Sequence, residues 1–319
     1  MRKSLLVLLM VFALSDQTPA EDKIRIGIPD PTAGFITFPL AHKKGFLREE
    51  GFQAELIRIS GEVMVAALSK GEIDYSASLG STVLAALQGL PLKAVANYAP
   101  STYTFIAQPN YKSVQDLKGK TIGIVSFGHG TEIIARMIVS HFGLDPDKDV
   151  KFVPLGNAPA RRRALRQGLI AATLELPPGG LAEIKQGVFS VIARAHELFH
   201  FPQSSLAVHS NRIKDKPDEI KRVIRAGIKA NRYLRENTEG AIQFLMERQK
   251  IDREIATATH EVLRAAFNDD GALPEAGLRL VIEERKKFVK VDRQVSLGEV
   301  ADLSLLEQVQ KELGIKEKN

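Results

Sequence analysis

Residues 23–57 read KIRIGIPDPTAGFITFPLAHKKGFLREEGFQAELI, and the periodicity changes twice along this stretch. Ile24, Ile26 and Ile28 alternate with Arg25 and Gly27, the period-two pattern of a β-strand. Residues 38–50 repeat their apolar positions at helical spacing, and residues 54–60 return to a strand-like run. Strand, helix and strand in so short a span predict a βαβ unit with its strands parallel. The alternation continues with a helix over residues 63–70 and a strand over 73–78. Further strand candidates are 92–98, 103–108, 121–125, 150–155, 170–176, 189–194 and 204–209. The expected fold class is α/β with a mostly parallel sheet. After His209 the strand pattern stops, and residues 214–313 read as helices. Ile220, Val223, Ile224, Ile228 and Leu234 form one apolar stripe; Ile255, Val262, Leu263, Ala266 and Phe267 form another.

A chain of 319 residues exceeds the ordinary size of one domain, so two are expected. The strands fall into two sets, and the chain can pass between them at 103–108 and again at 204–209. Two crossings give a discontinuous first lobe, residues 21–103 with a mainly helical second part at 208–319, and an inserted second lobe at 104–207. A hinge of this kind leaves a cleft between lobes, a preferred place for ligands.

Composition removes several functional classes. The 44 Lys and Arg are nearly balanced by 38 Asp and Glu, and the formal charge of +6 is spread along the chain, so no nucleic-acid partner is implied. The absence of Cys excludes disulfides, thiolate nucleophiles and Cys-ligated zinc. At the amino terminus, Arg2 and Lys3 precede the apolar run LLVLLMVFAL and a polar stretch ending at Ala20, the pattern of a secretory signal peptide over residues 1–20. Ten apolar residues span about 15 Å as a helix, half of a bilayer core, so the run is too short for a permanent anchor.

Two motifs imitate catalytic ones. HELFH at 196–200 matches the H-E-x-x-H zinc pattern, which needs a helix to bring both imidazoles to one side. A strand-like run precedes it and Pro202 follows, leaving room for scarcely one turn. GIVSFGHG at 123–130 has the glycines of a phosphate loop but His129 and Gly130 where Lys and Ser or Thr are required. No G-x-S-x-G elbow is present. The reading is therefore a protein without catalytic residues, metal or cofactor. Its alternatives are a secreted zinc hydrolase using HELFH, a fold-related small-molecule lyase, and a ligand-sensing subunit.

Residues 23–57, ALSKGEIDYSASLG at 67–80, GLPLKAVANY at 89–98, and SVQDLKGKTIGI at 113–124 with its Gly-rich turn and helix stand in an order that resembles one family. The chain resembles the periplasmic substrate-binding proteins of ABC importers, in the NMT1/THI5-like group that takes taurine, aliphatic sulfonates, nitrate and thiamine precursors. The resemblance runs to about Ile213. It implies a type II two-lobe topology, a ligand clamped by hinge closure, a periplasmic location, a monomer, and delivery to a membrane permease with its cytoplasmic ATPase.

In open α/β sheets, ligands sit beyond the carboxyl ends of strands, where helix amino termini present free N–H groups. Four turns qualify: Thr32 to Phe35 after the first strand, Ser60 and Gly61 after the second, Ser78, Gly80 and Ser81 after the third, and Ser126, His129, Gly130 and Thr131 in the inserted lobe. Helix capping is the alternative for each. Tyr98 precedes the first crossing together with Ser101, Thr102 and Tyr103; Asn157 and Arg161 follow a later strand; Glu175 precedes Pro177. Together these are the candidate ligand contacts for a sulfonate, carboxylate or pyrimidine-like solute, flanked by Phe35, Phe38, Tyr98 or Tyr103.

Overall fold

The computed structural model describes residues 21–29, 32–59 and 61–315. The expected signal peptide at 1–20, and Ser60 among the candidate contacts, lie outside the described residues. The fold is α/β, and the described residues form ten strands in two five-stranded sheets. The first contains β1 (Asp22–Ile28), β2 (Phe52–Arg58), β3 (Tyr75–Ser78), β4 (Leu92–Pro100) and, after a long excursion, β10 (Pro202–His209). The second contains β5 (Thr104–Ala107), β6 (Lys120–Ile124), β7 (Val150–Pro154), β8 (Ala172–Glu175) and β9 (Ser190–Arg194).

The orders are β2-β1-β3-β10-β4 and β7-β6-β8-β5-β9, so the two sheets repeat one plan. In each, four strands run in one direction and the fifth, β10 or β5, runs antiparallel between two neighbours. The sheets are therefore mixed, each with one reversed strand among otherwise parallel ones, because the strand entered from the opposite sheet arrives reversed. The two passages are bonded to each other: Ser101 N–H donates to the Phe201 carbonyl at 2.7 Å, and Ala195 N–H to the Tyr103 carbonyl at 2.8 Å.

Local sequence explains the elements around β1. Ile24 and Ile26 are buried, as their alternation predicts. The helix expected over 38–50 is broken in two, Thr37–Lys43 and Phe46–Glu49, by Gly45 at φ 85°, a left-handed conformation that glycine adopts without a Cβ penalty. The long helix Pro217–Glu236 starts on a proline, which needs no N–H in the first turn, and buries its predicted stripe against Thr37–Lys43. Asn231 on its buried face accepts from Thr37 Oγ1 at 2.9 Å and donates to the carbonyls of Tyr98 and Asn268 at 2.9 and 2.6 Å, so this polar side chain is satisfied.

The helix Glu275–Val289 behaves differently from the rest of the helical tail. Leu278, Val281 and Ile282 join an apolar cluster that contains Leu79 and Val83 beside the first sheet together with Phe105, Ile133 and Leu174 of the second. This helix thus packs on the Leu79–Leu87 helix and reaches across to the second sheet.

Candidate functional site

β3 ends at Ser78, and the helix Leu79–Leu87 begins there with no side-chain cap on its amino terminus. Its first turn therefore keeps unsatisfied N–H groups and the positive end of the helix dipole. Ser78 Oγ donates to Ser81 Oγ at 3.1 Å, and Gly61, the first residue of the Gly61–Ser69 helix, lies against Ser81. Gly61, Ser78, Gly80 and Ser81 are thus brought together.

The opposite wall is the turn before the Gly130–His141 helix. Its capping is elaborate. His129 Nδ1 accepts from Thr131 N–H at 3.2 Å, which leaves the ring proton on Nε2, and Thr131 Oγ1 accepts from Val125 N–H at 3.0 Å. Gly128 N–H donates to the buried Glu132 carboxylate at 2.6 Å, and Arg136 Nε donates to the other oxygen at 2.8 Å. Thr131 is buried and braces the turn rather than facing solvent, whereas Ser126 and His129 are exposed. Crowding by protein atoms, then the positive charges of Arg161 and Arg285, hold His129 down to about 4, so its ring is neutral at physiological pH. Because the ring keeps solvent access, screening moderates the two charges.

Between the walls lies Arg285, which the sequence reading did not select. It projects from Glu275–Val289 with its guanidinium against Gly80, where an added methyl would meet Cζ at 3.1 Å and Nε at 3.3 Å. Its Nη1 donates to the Gly128 carbonyl at 3.1 Å, while Nε is buried with no hydrogen-bond partner. Among the described residues no carboxylate lies within ion-pair distance of it. Burial lowers its affinity for a proton, with Tyr103 and Glu284 acting the other way. Tyr103 is buried and its ring approaches Gly130, and the hydroxyls of Ser101 and Thr102 on the same passage are buried without partners. A cation set on the positive end of an uncapped helix, without an acid, favours occupation by an anion.

Arg285 had a signal in the sequence. Positions 278, 281, 282 and 285 share one helical face, so Arg285 falls on the buried stripe of a segment whose run of Glu, Arg and Lys reads as a solvated surface.

The other candidates have structural duties. Tyr98 is fully buried in the core of the first sheet, edge-on to Phe38 at 5.3 Å, and burial pushes its hydroxyl far above the usual tyrosine range. Phe35 and Phe38 are buried as well. Asn157 caps the Ala158–Arg166 helix by accepting from Ala160 N–H at 3.0 Å. Arg161 spends its guanidinium on Thr173 Oγ1, the Gly156 and Leu174 carbonyls, and Glu175 at 3.1 Å. Glu175 also accepts from Arg162 at 2.9 Å; burial raises its pKa against the pull of both arginines. Four of the five Arg161 N–H donors are thus engaged within the protein, and both Glu175 oxygens accept from arginines. Thr32 and Phe35 flank Ala33, whose N–H donates to the Pro177 carbonyl at 3.2 Å, a contact between the two halves of the molecule. His196 lies in the single turn Ala195–Leu198 and His200 beyond it; no group of three or more metal-ligating side chains is assembled among the described residues.

No helix among the described residues is long and apolar enough to cross a membrane. A binding protein of Brucella abortus (strain 2308) is 24% identical over 246 residues, 76% of this chain and 75% of the relative. Among solved structures, the periplasmic aliphatic sulphonate binding protein SsuA from Escherichia coli has 19% identity and a TM-score of 0.74, covering 88% of this chain and 91% of that one. The periplasmic nitrate-binding protein NrtA from Synechocystis PCC 6803 has 15% identity and a TM-score of 0.73, covering 93% and 90%. These likenesses carry the two-sheet fold. A family model described as NMT1/THI5 like matches residues 32–241, well over half of the sequence, and the chain belongs to that family.

Proposed function

We propose that this protein is the extracytoplasmic solute-binding component of an ABC-type importer, exported by removal of residues 1–20, and that it captures a small organic anion without covalent chemistry. The observation that carries the reading is Arg285, a cation with no carboxylate within ion-pair distance among the described residues, lodged between the uncapped Leu79–Leu87 helix and the Gly128 carbonyl. An anion there gains a charge-assisted bond to the guanidinium and the favourable end of a helix dipole, and it relieves the repulsion between them. The unpartnered hydroxyls of Ser101 and Thr102 supply further donors at the passage between sheets.

The lobes in this reading are built on the two sheets, residues 21–103 with 208–319 and residues 104–207, hinged at the paired passages near Ser101 and Phe201. Closure follows from differential affinity, since an anion touching both walls binds the closed form more tightly. The closed, loaded monomer then docks on a membrane permease that is driven by its ATPase.

The experiment is native mass spectrometry of freshly purified protein to identify a retained anion, followed by small-angle scattering with that compound added back. The expected result is a smaller radius of gyration at saturation. An unchanged profile with the site fully occupied would overturn the hinge, and a retained cation or neutral sugar would overturn the anion site.

A further inference from the structure

We infer that Glu132 is a positioning residue for the tie between the two walls: it holds no solute itself, but sets the Gly128 peptide so that its carbonyl meets Arg285. This rests on the reading of Arg285 and the lobes given above. Arg285 stands on the helical tail and Gly128 on the turn before the Gly130–His141 helix, so their 3.1 Å bond holds the two walls together. An acceptor on glycine has to be aimed. Gly128 has φ 80°, the left-handed conformation, and carries no side chain to limit how its two peptide units turn. Both units are instead pinned by neighbours. The His129 N–H donates to the Ser126 carbonyl at 3.3 Å, and the Gly128 N–H to Glu132 Oε2 at 2.6 Å. The second bond is shorter and has a charged acceptor, which makes it the stronger of the two.

Ordinary helix capping does not account for this contact. Glu132 is the third residue of its helix, and in a capping box a carboxylate at that position reaches back to the N–H of the cap residue. Here the cap residue is His129, whose N–H goes to Ser126. Glu132 passes it over and takes the N–H one residue earlier, on the glycine that grips Arg285. The carboxylate is itself held in place. Arg136 Nε donates to Oε1 at 2.8 Å, and Arg136 Nη1 donates to Asp147 at 2.6 Å. Glu132 is buried, and with an arginine on one oxygen and an N–H on the other its charge is met inside the protein. Among the described residues Arg136, and not Arg285, lies within ion-pair distance of it, so Glu132 acts on Arg285 through the Gly128 peptide.

The chain has no Cys, so Leu90→Cys with Leu169→Cys, at exposed positions shortly before β4 and β8, can carry a pair of spin labels. Electron spin resonance then reads the distance between them in protein dialysed free of bound solute. Arg285→Gln should displace the distance distribution, because the tie is lost. Glu132→Ala should give the same displacement, and both changes together no more than either alone, since both act on one bond. Glu132→Gln, whose amide oxygen still accepts from Gly128, should stay near the parent. Displacement by Arg285→Gln with none by folded Glu132→Ala, or displacements that add in the double variant, would overturn the positioning role and leave the tie standing. No displacement by Arg285→Gln would overturn the tie and the positioning role with it. Amide exchange in the parent decides the same point even where Glu132→Ala does not fold. The Gly128 N–H should exchange at least ~100-fold more slowly than an unstructured amide, and exchange at the unstructured rate would show that the carboxylate does not hold it and would overturn the role.

Discussion

Arg285 donates a hydrogen bond to the carbonyl of Gly128, 157 residues earlier in the chain, at 3.1 Å, and so ties the helical tail to the turn that opens the second sheet's first long helix. The same guanidinium rests on Gly80 at the start of the Leu79–Leu87 helix. One side chain therefore touches both walls of the candidate cleft. A ligand that binds it senses whether the two walls are together.

Gly80→Ala should separate binding from folding. The added methyl enters the space of the guanidinium, whose flexible far end can move away. Melting temperature should stay within a few degrees, because Ala favours helix by up to ~1 kcal/mol over Gly, while affinity for the retained anion should fall about tenfold or more, the scale of one charge-assisted bond. Calorimetry beside thermal melts checks both.

Arg161→Met should do the reverse. Its removal leaves Glu175 buried with only Arg162 beside it, and breaking a buried ion pair from one side costs about 3–5 kcal/mol. Urea unfolding should register that loss, with any remaining folded protein keeping its preference among anions.

His129 gives stability an acid limb. Its folded pKa is depressed from the usual 6.5 to about 4, so the unfolded chain takes up the proton first as pH falls. Its contribution is whole above pH 6.5 and declines as the pH drops toward 4. His129→Asn retains a capping oxygen but cannot titrate, so thermal melts from pH 7.5 to 4 should show the variant losing less stability than the parent across that window.

Lys185 and Glu254 form an exposed ion pair that joins the Leu181–Lys185 helix, beside the second sheet, to the Arg253–Ala266 helix of the tail. An exposed pair is worth about 0.2–1 kcal/mol. Lys185→Ala should therefore weaken ligand binding by no more than about fivefold at low salt, and the difference should vanish near 1 M salt, where the screening length is about 3 Å. Titrations at two ionic strengths measure it.

Much of the fold was legible because periodicity reports burial: Ile24 and Ile26, or Ile220, Val223 and Ile224, sit inside where their spacing put them. The two reversed strands were not legible, since a strand's own residues carry no mark of its neighbours' direction. For the candidate site, small residues beyond strand ends pointed to Gly61, Ser78, Gly80 and Ser81, which the fold places close together, and to the turn at 126–131. Hydroxyl and charge chemistry alone misjudged Tyr98, Arg161 and Glu175, whose groups the core consumes. Arg285 stayed hidden because a charge in a run of charges looks solvated until its helical face is counted.

The account stands most directly on a thermal-shift titration of the anion recovered with the protein, run on the parent and on Arg285→Gln. At 100 times Kd the parent should gain about 2.7 kcal/mol of stability, and the variant, at the same concentration, should show almost no shift. An equal shift in both proteins would mean that Arg285 holds no anion and would contradict the account.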